Sequence, residues 1–577
     1  MGMSGLSVAV SGLNAAQAGL YVTGHNMANT DTEGYSRQRA IQSDFHYSRI
    51  GENNLGIFQK GLGTDIQGIV QLRDRFLDAA YRIENSRLGF YKVKSEAGSE
   101  IESIVGETQS RYNFQSVFLD MWNALNELST HPEGLETRGA FIATAVSMVT
   151  KAEDVYNRLF EYQHNLDGQI RVQVNEVNSL VSQIDKLNRL ISQAAMAGDH
   201  ANDYRDQRNV CLDKLSGIIP IEFREEWDST VSITAEGKEL LSDSVKNHIG
   251  LKYIAKEYSF VEPVFTQSTD ILPASLPTGE FEPLFVFTQP VNAVYGNDSG
   301  SLKGLMMARG TRPATYLGAD GLVLPADADS AGEYRYNNDL YSLNNCFIPQ
   351  VMRDIDGLVH SVITLINDSL APAIPIDPDN PGIPRTKDLK APYDLTGRPL
   401  PLQYTEVFTR KTIPRWNVDT LIPENPDTLI PEDPGDYYSL YTMGNIRVNP
   451  ELLQPGGGNL LALSRSGDRE DNTLILDLIE RWNSLIAGQS GDQVSVNDGY
   501  KQLITFIGAE TSKDLKFVNE QSLLTAQTNE KRSRTSGVSL DEELKNMMIY
   551  QHAYGAAARI LSVIDSMLDR VINSMGA

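Results

Sequence analysis

Neither end of this chain presents a surface that a lone soluble protein could leave bare. Residues 1–30 contain no Asp, Glu, Lys or Arg, although the chain as a whole is acidic. Within them Leu6, Val10, Leu13, Leu20 and Met27 fall on the four- and three-residue steps of a heptad seam. The far end repeats the pattern. Leu540, Leu544, Met547, Tyr554, Ala558, Leu561, Leu568, Ile572 and Met575 share one heptad lattice, broken only at Gln551 and Asp565. Two such stripes predict terminal helices that pair with each other and with copies of themselves. An uncharged helix face has to be covered, and neighbouring subunits are the expected cover.

The 577 residues exceed the usual limit of a single core, so several domains are expected. A formal charge of −25 argues against binding nucleic acid, which needs a basic face. Cys211 and Cys346 read as two small buried hydrophobes, and so few cysteines make no disulfide framework. The first basic residue is Arg37, and Asn14 and Gln17 interrupt any apolar core, so neither a cleavable secretory signal nor a membrane-spanning helix is expected.

Residues 1–30 read as a helix rich in Ala, Ser and Gly, each Gly weakening it by about 1 kcal/mol relative to Ala. It is expected to fray in solution and to order in an assembly. Residues 29–35 read as a turn, with Gly34 free to take positive φ. From about Arg73 to Gly217 helix dominates, split into two by His131-Pro-Glu-Gly134. Ile170, Val174, Val177, Val181, Ile184, Asn188 and Ile191 form a seam; Asn188 either fixes a register there or lies at a solvated edge. Between about Pro220 and Tyr336 the period shortens to that of strands, with a hairpin around Glu236-Gly237 and another strand at Phe281–Phe287. Helix resumes with Val351, Ile355, Leu358, Val362 and Leu365, ending near Leu370.

A second insert follows. Pro372, Pro375, Pro378, Pro381 and Pro384 match the three-residue turn of polyproline II, and residues 419–426 are nearly repeated by 427–434. Helix returns at Thr473 and again from about Tyr500; Gly537 marks a hinge, and Ser539 with Glu542 has capping-box spacing. Patterns that carry chemistry are missing: no H-E-x-x-H, nucleophile elbow, Walker loop or dinucleotide fingerprint. Asp377 to Asp388 mimics a calcium loop poorly, with Pro381 in a ligand place. No catalytic residue, cofactor or metal is assigned, and the chain reads as no enzyme.

The ends resemble a known family. Ser11-Gly-Leu-Asn-Ala-Ala-Gln17, His25-Asn26-Met-Ala-Asn29-Thr and Glu33-Gly34-Tyr35-Ser-Arg-Gln38 are similar to the N-terminal signature of bacterial flagellar rod, hook and hook-associated proteins. Gly537–Glu543 through Tyr550-Gln-His-Ala-Tyr554 to Asp565–Leu568 resembles the matching C-terminal signature. Leu187–Ile191, Asn202-Asp-Tyr-Arg-Asp206-Gln207-Arg208, Val231–Leu240 and Ser301–Leu305 narrow this to the hook-associated protein 1 family. Asn209 stands where that family usually has Asp, and Tyr554 is followed by Gly555 and an alanine run.

The resemblance implies a structural role at the hook–filament junction. It implies a homo-oligomeric ring that contacts the hook protein and a second hook-associated protein. It also implies unfolded export by the flagellar type III apparatus, a chaperone on the C-terminal helix, and an extracellular destination without membrane insertion. The fold class expected is α+β, mainly α. Residues 1–50 with 537–577 form a terminal coiled-coil domain, and 51–225 with 341–370 and 440–536 a helical core. Residues 226–340 are a β-rich outer insert and 371–439 a Pro-rich insertion. A hook or distal rod protein is the alternative, with an enzyme displayed on the inserts further behind.

Overall fold

The computed structural model describes residues 2–575 except 46, 54–55, 107–112, 244, 255–258, 267–270, 273–280, 288, 318–345, 372–392, 396–405, 416–429, 435, 484–485 and 488–492. The proline series, the calcium-like segment and most of the near-repeat lie outside the described residues.

Helix α1 (Gly2–Ala28) leads into two antiparallel ribbons that the sequence had not signalled. Strand β1 (Gln38–Asp44) pairs with β4 (Thr64–Gln71), and β2 (Tyr47–Asn53) with β3 (Gly56–Gly61). The helical stretch that follows has four members rather than two: α2 (Arg75–Val105), α3 (Phe114–Thr130), α4 (Leu135–Met196) and α5 (Asn202–Ile218). The extra breaks come where the backbone turns left-handed, at Gly106 (φ 91°) and at Gly198 and Ala201 (φ 82° and 50°). The break at His131–Gly134 stands.

Helix α4 runs 62 residues, about 93 Å at 1.5 Å per residue. Its stripe from Ile170 to Ile191 is buried within the chain. Asn188 is neither an intersubunit register residue nor a solvated one. Its Nδ2 donates to the Val231 carbonyl at 2.9 Å, and its Oδ1 accepts from the Val231 N–H at 3.1 Å and from Arg208 Nη1 at 3.0 Å. The amide thus behaves as a strand residue would, docking the meander β5 (Ile221–Glu225), β6 (Val231–Ala235) and β7 (Lys238–Leu241) onto the helix. Glu236 and Gly237 both have positive φ, the two-residue turn that suits strand twist.

A second small sheet follows, centred on β8 (His248–Tyr253) and β9 (Val261–Thr266), with β10 (Ile271–Leu272) and β11 (Glu282–Pro283) at its edges. The strand expected over Phe281–Phe287 contracts to those last two residues; beyond them Leu284, Phe285 and Phe287 are buried and Val286 is exposed. The stretch read as β-rich also holds a buried helix, α6 (Ser301–Arg309). Gly304 lets it lie against α2, where a Cβ would come within 2.9 Å of the Phe90 carbonyl oxygen.

Helix α7 (Phe347–Leu370) ends where its periodicity ended. The described residues between 406 and 472, of which 440–472 were assigned to helical core, are irregular apart from short 3-10 turns and the ribbon β12 (Phe408–Arg410) with β13 (Ile446–Val448). Helix α8 (Thr473–Trp482), the ribbon β14 (Ile486–Ala487) with β15 (Gln493–Val494), α9 (Val496–Ser536) and α10 (Leu540–Met575) complete the chain. Helix α9 runs antiparallel to α2: Thr511 packs on Gly98, Asp514 pairs with Lys94, Phe517 stacks on Tyr91 at 4.6 Å and Gln521 bonds Glu84. That return brings Ser536 back to Arg37, whose N–H donates to its carbonyl at 2.7 Å, and so places the two ends side by side. The fold is mainly α with small, mostly antiparallel sheets. Cys211 and Cys346 are both buried and form no disulfide with each other.

Candidate assembly interface

Helices α1 and α10 pair antiparallel within one chain. The inward residues recur every seven positions: Gly5 faces Ile564, Gly12 faces Ala557, Gly19 faces Tyr550 and Asn26 meets Glu543. Glycines let the backbones approach closely. A Cβ at Gly19 would fall 2.5 Å from the Tyr550 ring. Gly19→Leu is therefore expected to push Tyr550 out and weaken the pair by about 1–3 kcal/mol, read as faster amide exchange in both helices.

The contacts seen between the pair run along the glycine heptad, a stripe beside the expected seams. The pairing stripe is the glycine heptad and its partners, because small residues allow an approach that Leu and Val would block. Val10 is 42% exposed, while Leu6, Leu13, Leu20 and Met27 are only partly covered. On α10, Leu540, Leu544, Tyr554 and Leu568 are exposed, and Met547, Ala558 and Leu561 are intermediate. Ile572 and Met575 continue the helix, their side chains being outside those described. The ends were also expected to order only on assembly, whereas they already pair in the single chain.

A polar joint locks the inner end of the pair. Asn26 Oδ1 accepts from the Gln38 N–H at 2.9 Å and from Tyr35 OH at 2.8 Å, while its Nδ2 donates to the Gln38 carbonyl at 2.9 Å and to Glu543 at 3.3 Å. His25 Nδ1 lies 2.9 Å from the Tyr35 hydroxyl. Arg37 clamps the start of α10, donating at 2.7 Å to Glu543 and at 2.7 Å to Glu542. The next link runs to α5: the Ser36 N–H donates to Asp206 at 3.1 Å, and Arg73 reaches Ser36 Oγ at 3.1 Å while forking onto Asp78. Gly34 takes φ 77° with Val210 so close that a Cβ would lie 2.2 Å from its methyl, so only glycine fits.

Of the motif residues, Asn26, Gly34, Tyr35 and Asp206 meet at this joint. Arg208 lies one step away, bonding Asn188 and the Ser229 carbonyl. Asn29 caps α1 locally through the His25 carbonyl, and Gln207 is exposed. Arg37, Arg73 and Glu543 were given no role at a site, and for Arg37 and Glu543 the reason is that each is informative only once its partner 506 residues away is known.

Burial dominates the joint's titration. It raises the Asp206 carboxyl to about 6 against the help of Ser36 and Arg73, and raises the Tyr35 phenol, an effect that Asp203, Asp206 and Glu543 reinforce. Burial likewise raises Asp356 and Glu406, each to about 7. Carboxyls raised on folding bind more protons in the folded chain between roughly pH 4 and pH 7, so stability falls as pH rises through that window. The melting temperature is therefore expected to rise on going from pH 8 to pH 5. Asp206→Asn, which still accepts from Ser36, should reduce that rise, removing up to roughly 3 kcal/mol of pH dependence.

Three family models match this chain: the flagellar hook-associated protein FlgK helical domain over residues 98–312, the flagella basal body rod protein segment over 6–35, and the flagellar basal body rod FlgEFG protein C-terminal segment over 531–575. The two rod segments are the paired ends, and together with the helical body they define a structural component of the bacterial flagellum. Flagellar hook-associated protein 1 of Bacillus subtilis is 27% identical, covering 99% of this chain and 98% of its own length. The protein of that name from Escherichia coli is 24% identical over 98% of both. Over nearly its whole length the chain is thus similar to flagellar hook-associated protein 1, and over residues 98–312 it matches the FlgK helical domain. Its fold is similar to that of the flagellar hook junction protein FlgK of Burkholderia pseudomallei, with a TM-score of 0.52 at 11% identity, covering 81% of this chain and all of that one. Among the described residues no helix is long and apolar enough to cross a membrane.

Proposed function

We propose that the chain forms the junction between hook and filament, polymerising into a ring through its terminal helices and serving as structure rather than catalyst. The observation that carries this reading is the apolar face of the helix pair left uncovered in the single chain, including Val10, Leu540, Leu544 and Leu568. Apolar rows of this kind mark surfaces meant for neighbours. In the ring the paired ends (1–50 with 537–577) form the inner layer, with the helical body and the two inserts outside it.

The hook protein lies below the ring, and a second hook-associated protein sits above it. The chain travels unfolded through the type III apparatus to the cell exterior. Before export a chaperone covers the apolar side of the C-terminal helix, which would otherwise aggregate. Labelling the chain on intact flagella tests the reading: a single band is expected at the distal end of the hook. Label spread along the hook would instead assign the chain to the hook or rod.

A further inference from the structure

We infer that the cleft between α2, α5 and β5 is a socket for an acidic face of a second copy of this chain, joining neighbours outside the terminal helices. This rests on the ring reading above. The cleft has a volume of about 1100 Å³ and is lined by seven arginines against three carboxylates, in a chain of net charge −25. Positive charge gathers at Glu225, which Arg75 and Arg205 each reach at 2.5 Å and Arg208 at 3.5 Å. One carboxylate there faces three guanidiniums.

Deeper in, Arg82 is only 3% exposed; its Nε pairs with Asp213 at 2.8 Å and its Nη2 with Asn209 at 3.1 Å, but its Nη1 has no hydrogen-bond partner. The Nε atoms of Arg87 and Arg208 lack one as well. Those three atoms are sealed from solvent; what an incoming carboxylate meets is the exposed guanidiniums of Arg75 and Arg224, whose fork matches its geometry. Two residues beyond Glu225, on the turn after β5, Trp227 is 93% exposed, and Arg208 pins that turn by donating to the Ser229 carbonyl at 2.7 Å. Exposed Trp beside arginine is the composition of an interface anchor.

The occupant follows from charge. Identical subunits in a ring meet through two different patches. Acidic subunits repel where ordinary surfaces approach within a Debye length, about 8 Å at physiological salt. A basic cleft reverses that locally, and the neighbour has carboxylates in excess, 75 Asp and Glu against 50 Lys and Arg. A small free anion would leave Trp227 bare and most of the cleft empty.

The test compares the purified full chain with the double variant Arg75→Glu/Arg224→Glu, both positions being 80% exposed and so tolerant of exchange. Wild-type self-association by sedimentation is expected to weaken as salt rises, and the variant to associate about tenfold or more weakly at low salt. Trp227→Ala, read in the same assay, should also weaken association and covers the case in which the double variant misfolds. Association of folded variants at wild-type strength at every salt concentration would overturn the proposal. So would citrate that binds the cleft saturably, is lost in the variant, and leaves self-association untouched, since the site would then serve small anions. Failure of the ring reading is seen separately, as wild-type label absent from hook ends.

Discussion

Leu544→Asp is expected to empty hook ends of this protein while leaving its unfolding in solution almost unchanged. Leu544 is 46% exposed in the single chain, so an Asp there keeps its water and should alter stability by no more than about 0.5 kcal/mol. In the proposed ring the same position would face a neighbouring helix. A carboxylate must then be stripped of solvent without a partner, a penalty of several kcal/mol that converts to a loss of roughly a thousandfold or more in subunit affinity. Leu561→Asp should act in the same sense with some loss of stability, because Leu561 is already half-covered. Immunoblots of purified hook–basal bodies, beside melting curves of the purified variants, separate the two effects. Normal incorporation of Leu544→Asp would remove the apolar face as the basis of assembly.

The split between these effects reflects how the ends are built. Heptad spacing picks out both the glycine row at Gly5, Gly12 and Gly19 and the bulkier row at Leu6, Val10, Leu13 and Leu20, since neighbouring residues on one helix share the same period. Sequence reasoning favoured the bulky row because apolar area normally drives helix pairing. The structure gives the intramolecular contact to the glycines. Their partners Tyr550, Ala557 and Ile564 lie on the adjoining stripe of α10. The bulky row stays partly or wholly exposed in the single chain, which is the basis for proposing it as the contact with other subunits.

Elsewhere, legibility followed the reach of the interaction. Helix α7, the hairpin at Glu236-Gly237 and the buried stripe of α4 could be read because their determinants lie within a few residues. The joint could be read only in part. Asn26, Gly34, Tyr35 and Asp206 stood out by resemblance, but Arg37 and Glu543 acquire meaning only when α9 folds back along α2. Asn188 shows the same limit from the other side: the pattern put the amide on the stripe but left it either buried or solvated, and its partner is the backbone of Val231. The ribbon of β1 and β4 escaped notice because its residues are mostly partly covered or exposed and it packs on α1, which leaves little alternation to detect.

Arg138→Met is expected to produce the opposite outcome from Leu544→Asp: a less stable chain that still reaches the hook. Arg138 is 2% exposed at the start of α4. Its Nε donates to the Pro132 carbonyl at 2.6 Å, and its Nη1 to the carbonyls of Leu461 at 2.5 Å and Gly458 at 3.2 Å. One guanidinium therefore closes the His131–Gly134 turn and ties it to a loop more than 300 residues later. Methionine keeps the length and the apolar stem but offers no donor, so three carbonyls lose charge-assisted bonds, at a net cost of about 3 kcal/mol. Burial lowers the Arg138 pKa to about 10, which still leaves it charged at neutral pH, so the loss should appear across the physiological range. Amide exchange should accelerate at residues 131–138 and 456–461 while α1 and α10 keep their protection. Since none of the lost bonds touches the helix pair, incorporation at permissive temperature should approach the wild-type level. A variant that stays stable but fails to assemble would instead place Arg138 in the interface.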